Sequence, residues 1–164
     1  MQKRITQKQA LIKLQRYCAY QERCHAEVTE KLSSLGIWGD WANEIIVDLI
    51  EERFLNEERY ACSLVRGKFK YKQWGRNKII QRLKQKKISP YLIKHSLKEL
   101  NEEDYIKTIQ KLIEKKDKRL RDEDVYKRKQ KIVNYLLQKG YESPLIWKHL
   151  NSYFEKKGTE EDVL

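Results

Sequence analysis

Six residues occur twice in this chain, 45 positions apart and nearly letter for letter: Leu55-Asn56-Glu57-Glu58-Arg59-Tyr60 and Leu100-Asn101-Glu102-Glu103-Asp104-Tyr105. Each copy reads as a helix start. The asparagine caps the free amides of the first turn, and the paired glutamates sit against the positive end of the helix dipole. Each is followed by an apolar ladder at helical spacing, Ala61, Leu64, Val65 and Phe69 in the first and Ile106, Ile109, Leu112 and Ile113 in the second. A chain that restarts in this way is constrained to be an array of similar helical units. One such unit has too little apolar face to stand alone, so neighbours must stack.

Two further correspondences extend the repeat to three units. Lys31-Leu32 through Gly36-Ile37, Arg82-Leu83 through Lys87-Ile88, and Tyr135-Leu136 through Gly140-Tyr141 occupy the same place in each. The third helices follow as Asp40 to Arg53, Ser89 to Leu100 and Glu142 to Phe154, with Ser89-Pro90 and Ser143-Pro144 reading as N-cap plus proline at the first helical position. In the first unit a helix from Thr6 to Tyr20 buries Ala10, Leu11, Leu14, Tyr17 and Cys18. A second, from about Glu22 to Leu35, repeats Cys24, Val28, Leu32 and Leu35 and stops at Gly36. A third buries Trp41, Ile45, Ile46, Leu49 and Ile50. The expected fold is all-α: three tandem three-helix modules, residues 1–54, 55–100 and 101–154, stacked into an elongated curved rod with a frayed tail at 155–164. Six glycines and two prolines are too few for the turns a sheet would need.

The charge is as unevenly placed as the repeat is regular. Between Arg59 and Lys98 there are thirteen bases and no acid, while the remaining 23 bases and 24 acids nearly cancel, so the net charge of +12 belongs to this one segment. Unopposed like charge destabilises a fold, and an anionic partner accounts for it economically. The helix from Trp74 to Lys87 places Ile79, Ile80 and Leu83 on one face and Lys78, Gln81, Arg82 and Gln85 on the other, a surface suited to phosphates or an acidic protein groove. Trp74 reads either as a packing anchor between helices or as an exposed stacking residue. By contrast Lys115 to Lys131 interleaves Asp117, Asp122, Glu123 and Asp124 with its bases and reads as a solvated face.

Catalytic patterns are missing. The chain has no glycine-rich phosphate loop, no dinucleotide fingerprint and no HExxH pair. His25, His95 and His149 stand apart; Cys18, Cys24 and Cys62 read as reduced thiols, the first two on apolar helix faces rather than at zinc spacing. No enzyme activity, cofactor, metal or small-molecule substrate is expected. No run of about 20 apolar residues offers a membrane span, and MQKRITQKQ has no apolar segment behind its bases. A cytoplasmic protein is the default expectation.

The segment Arg53-Phe54-Leu55-Asn56-Glu57-Glu58-Arg59-Tyr60-Ala61, then Trp74-Gly75-Arg76-Asn77-Lys78-Ile79, Leu83 and Lys87-Ile88, resembles the RecX family of bacterial regulators of the RecA recombinase. Arg23-Cys24-x-x-Glu27-Val28-x-x-Lys31-Leu32 is similar to that family's amino-terminal module, and the likeness covers about residues 10 to 150. Two departures stand out: Arg53 and Lys87 replace glycines that would end helices in the left-handed conformation, so these turns must close another way or carry modest strain. The resemblance implies three three-helix modules and a regulator that binds RecA and the RecA–DNA filament, lodges in the filament groove and suppresses ATP hydrolysis and strand exchange. The expected contact face is Arg66, Lys68, Lys70, Lys72, Arg76, Lys78 and Arg82, positioned by Trp74. Phe54, Asn56, Glu57, Arg59, Tyr60, Gly75, Ile79 and Leu83 supply motif and packing. The alternatives are a helical repeat protein that binds DNA or RNA without RecA, and an adaptor for an acidic protein.

Overall fold

The computed structural model describes residues 4–161; the start of the N-terminal segment and the last three residues of the tail lie outside them. Among the described residues there are nine helices and no strand: α1 (Gln7–Tyr20), α2 (His25–Ser34), α3 (Gly39–Glu51), α4 (Glu57–Lys72), α5 (Arg76–Gln85), α6 (Pro90–Leu97), α7 (Glu102–Arg119), α8 (Val125–Lys139) and α9 (Ser143–Glu161). The repeated hexapeptide performs the same task twice. Asn56 Oδ1 accepts from the Arg59 amide at 2.9 Å, and Asn101 Oδ1 accepts from the Asp104 amide at 3.0 Å. Leu55, Tyr60, Leu100 and Tyr105 are all buried.

Helix ends repeat as well. After α2, α3, α5 and α8 the chain turns through a left-handed residue, Gly36 (φ 77°), Arg53 (φ 63°), Lys87 (φ 58°) and Gly140 (φ 94°). In each turn the next amide reaches back five residues: Ile37 to Leu32 O (3.0 Å), Phe54 to Leu49 O (2.9 Å), Ile88 to Leu83 O (3.1 Å) and Tyr141 to Leu136 O (3.1 Å). That pattern is the Schellman motif, which satisfies the last carbonyls and tucks an apolar side chain under the helix end. At Arg53 and Lys87 a Cβ occupies a conformation that glycine adopts freely. Both side chains are exposed. Arg53→Gly and Lys87→Gly are therefore each expected to stabilise the protein by about 1 kcal/mol, read as a higher urea midpoint at unchanged slope. A lower midpoint would show that these side chains hold the turn in some other way.

Contacts group the described residues into two compact units. The first runs through Leu64 and includes Leu83–Ser96; the second is Val65–Arg82 with Leu97 onward. In the first, α1 packs on α2 and α3 around Leu14, Val28, Leu32, Ile45, Leu49 and Leu55. Trp41 and Ile46 pack against this core only in part, and Ile50, expected inside, is 43% exposed. Helix α2 begins at His25 rather than Glu22 because the Glu27 carboxylate accepts from the Cys24 amide (3.2 Å) and fixes the start. All three cysteines are buried.

In the second unit α7, α8 and α9 pack on one another around Ile109, Ile113, Leu136, Tyr141, Ile146 and Leu150. Ile146 N donates to Glu142 O (3.0 Å), so α9 starts one residue earlier than the Ser143-Pro144 reading places it. It then continues to Glu161 instead of ending at Phe154. Lys157 explains the extension, since its Nζ donates to Asp117 Oδ2 at 2.8 Å. Asp117 overturns the reading of Lys115 to Lys131 as wholly solvated. It is fully buried, salt-bridged to Arg128 (2.6 Å) and Lys157, and accepts a bond from Tyr153 Oη (2.9 Å).

Candidate functional site

The site is the turn between α4 and α5 with the two helix ends that flank it. Helix α4 ends at Lys72; Gln73 takes a left-handed φ of 54°, and its amide donates to Phe69 O (3.0 Å). The turn is then stitched to the end of α8. Gly75 N donates to Lys139 O (2.8 Å), Asn77 N to Gly140 O (2.9 Å) and Tyr141 Oη to Gln73 O (2.7 Å). Gly75 is buried, and a Cβ there would lie 2.4 Å from the carbonyl carbon of Gly140. Only glycine lets the two backbones meet at this distance.

Trp74 stands half-buried on this fixed turn, and three of the expected contact residues gather round it. Lys68 Nζ lies 4.9 Å, Lys78 Nζ 4.7 Å and Arg82 Cζ 5.9 Å from the indole ring. The half-buried ring turns its negative face to these cations. Helix α5 buries Ile79 and Leu83 on the opposite side. Lys70 and Lys72 are exposed near the end of α4, Lys70 beside the ring of Tyr71, which is 75% exposed. Lys68, Lys70, Lys72, Lys78 and Arg82 make no salt bridge among the described residues, whereas Arg66 pairs with Glu99 at 3.0 Å.

Arg76 belongs elsewhere. Its guanidinium pairs with Glu142 (2.8 Å) and Glu102 and lies 3.9 Å from the Tyr105 ring centre, while its amide donates to Tyr105 Oη (3.0 Å). The Tyr105 hydroxyl in turn donates to Glu142. Burial raises the Tyr105 phenol, and the bond to Glu142 raises it further. Arg76 thus ties the start of α5 to α7 and to Glu142 at the head of α9. Acids remote in sequence thus offset part of the basic segment: Arg59 pairs with Glu22 (2.6 Å) and Lys86 with Glu27 (3.2 Å).

The motif residues just before and at the start of α4 belong to the first unit. Phe54 packs against the first unit's core; Arg59 Nη2 donates to Arg53 O at 3.0 Å. Glu57 pairs with His25 (3.1 Å) and Glu58 with His95 (2.9 Å). Burial raises the Glu57 carboxyl despite the neighbouring His25. The thiols of Cys18 and Cys24 are likewise raised by burial. Among the described residues no group of three or more His, Cys, Asp or Glu is placed to hold a metal ion, and no helix is long and apolar enough to cross a membrane.

Comparison with known proteins agrees with this geometry. Residues 56–97 match the second three-helix domain of RecX and residues 102–150 match the third. The regulatory protein RecX of Bacillus cytotoxicus is 30% identical over 141 residues, covering 86% of this chain and 52% of that protein; its counterpart in Bacillus mycoides is 29% identical over 145 residues, covering 88% and 54%. The chain thus spans about half the length of the curated relatives it matches. The crystal structure of RecX from Lactobacillus salivarius is similar with a TM-score of 0.81 at 27% identity, covering 89% of this chain and 95% of that one. With two tandem RecX domains across more than half of its residues, a shared fold and a shared motif segment, the chain belongs to the RecX family.

Proposed function

We propose that this chain is a non-enzymatic regulator that binds RecA and the RecA–DNA filament and restrains ATP hydrolysis, filament growth and strand exchange. The observation that carries this reading is the cationic cluster of Lys68, Lys78 and Arg82 around Trp74, without a salt bridge among the described residues and held on a turn fixed by backbone hydrogen bonds. Lys70, Lys72 and the more weakly committed Arg66 extend it, whereas Arg76 positions the turn from inside. Residues 1–54, 55–100 and 101–154 act as three modules, and contacts from several of them to successive filament subunits add through effective concentration.

The test is DNA-stimulated ATP hydrolysis by the cognate RecA on preformed filaments, with the protein well below the RecA concentration and single-stranded DNA in excess. Substoichiometric loss of ATPase is expected. The double substitution Lys78→Glu and Arg82→Glu is expected to weaken inhibition at least about tenfold while leaving helicity intact, because it reverses two charges of the face and leaves Ile79 and Leu83 buried. Undiminished inhibition by the double variant would exclude this face. The same cations around an indole also favour a second reading, direct nucleic-acid binding without RecA. That reading requires affinity falling steeply with salt and no association with RecA in the absence of DNA.

A further inference from the structure

The first unit carries a surface that the basic face does not explain. The turn between α2 and α3 holds two left-handed glycines, Gly36 (φ 77°) and Gly39 (φ 65°). Between them Ile37 is fully buried and Trp38 is 66% exposed. The anchored isoleucine leaves the tryptophan standing on a short, defined turn. Beside it opens a cleft of about 810 Å³. Ile5, Leu35 and Trp41, which line it, also pack on the core and form an apolar floor; Arg4 and Lys13 are exposed at its rim. Among the described residues no acid lines the cleft. Trp41 Nε1 is buried with no hydrogen-bond acceptor among the described residues, a donor that the fold leaves unsatisfied.

An apolar floor, an exposed tryptophan and two rim cations together select a ligand that is apolar at its centre and anionic at its edges. Tryptophan in such a place commonly anchors protein contacts. A polyanionic strand fits less well. Single-strand sites need a cationic groove that follows the backbone, and residues 1–54 carry eight bases against eight acids. Two cations beside an apolar cleft on a neutral module suit a short peptide better. We infer that the Trp38 cleft is a docking site for an acidic peptide segment of a partner protein, a bulky apolar side chain entering between Trp38 and Trp41 and flanking carboxylates meeting Arg4 and Lys13. This inference is independent of the role of the Trp74 face.

The probe is a fluorescein-labelled peptide of alternating Glu and Asp around one central Phe, titrated with the full chain at physiological salt and followed by anisotropy. Trp38→Ala is the variant, since that side chain is largely exposed and makes no cap hydrogen bond. Affinity is expected to fall about tenfold or more with Trp38→Ala, and equally when the peptide's Phe becomes Ala. The Lys78→Glu, Arg82→Glu protein should bind the peptide as the parent does, which separates this site from the Trp74 face. Four results would each overturn the inference: no binding, binding indifferent to Trp38 or to the peptide's Phe, loss confined to the Lys78, Arg82 variant, or tighter Trp38-dependent binding of an oligothymidine.

Discussion

Replacing Asp117 with Asn is expected to destabilise the protein by about 3 kcal/mol, because it leaves two cations gathered round a site that no longer carries a charge. The carboxylate is fully buried, and Arg128 is only 12% exposed against it. Lys157 is 35% exposed and can turn to water, which keeps the cost at the lower end of what breaking a buried ion pair brings. Burial alone would raise the Asp117 carboxyl, but bonds from Lys157, Arg128 and Tyr153 outweigh it and hold the group below the usual aspartate range. A lowered folded value means that the contribution is fully present above the unfolded value near pH 4 and is lost as pH falls through the folded value. Urea unfolding of the two proteins should therefore show a wide gap at pH 7 that narrows below about pH 4. A gap of the same size at pH 2.5 would mean that the side chain matters for its shape and not for its charge. Replacing both Asp117 and Arg128 with Leu should recover much of the loss, since a well-packed apolar pair substitutes for a buried ion pair.

That residue marks where reading the sequence stops. The fold was legible because its signals are local. The repeated hexapeptide places Asn56 and Asn101 at helix starts, and both accept the expected amide bond. Asp117 sits in a run of charges, and charge runs usually face water. Its register was the available signal: Tyr105, Ile109, Ile113 and Asp117 fall four apart, and the first three are buried core residues of α7. Its partners Arg128 and Lys157 lie on α8 and α9, and no local pattern announces them. Arg76 shows the same limit at the candidate site. It reads as one more base in the run because Glu102 and Glu142, 26 and 66 residues away, are invisible from its neighbourhood. Arg53 and Lys87 lie between these cases. Their place before Phe54 and Ile88 matches Gly36 before Ile37, and of the two ways left open for those turns the chain takes left-handed closure without glycine.

Gly75→Ala tests the other contact on which the site depends, and the loss expected is about 3 to 5 kcal/mol. The new methyl would lie 2.4 Å from both the carbonyl carbon and the oxygen of Gly140 and 2.5 Å from the Tyr141 nitrogen. All three are backbone atoms at a helix end, so no side-chain rotation relieves the overlap. The turn must move off α8, giving up the bonds from Gly75 N to Lys139 O and from Asn77 N to Gly140 O, each worth about 1 kcal/mol. Gly67 is the control. It lies inside α4 with nothing within 4 Å of where a Cβ would stand, so Gly67→Ala should stabilise by about 0.5 to 1 kcal/mol. Opposite signs for the two substitutions, read from urea midpoints, would establish close backbone approach as the reason for Gly75. A Gly75→Ala protein within about 1 kcal/mol of the parent would show that the two segments separate easily. The functional consequence follows from position. Trp74 adjoins Gly75, and Lys78 lies in the first turn of α5, so a displaced turn also scatters the cations around the indole. If the chain acts on RecA as proposed, Gly75→Ala should then weaken that inhibition even under conditions where the variant remains folded.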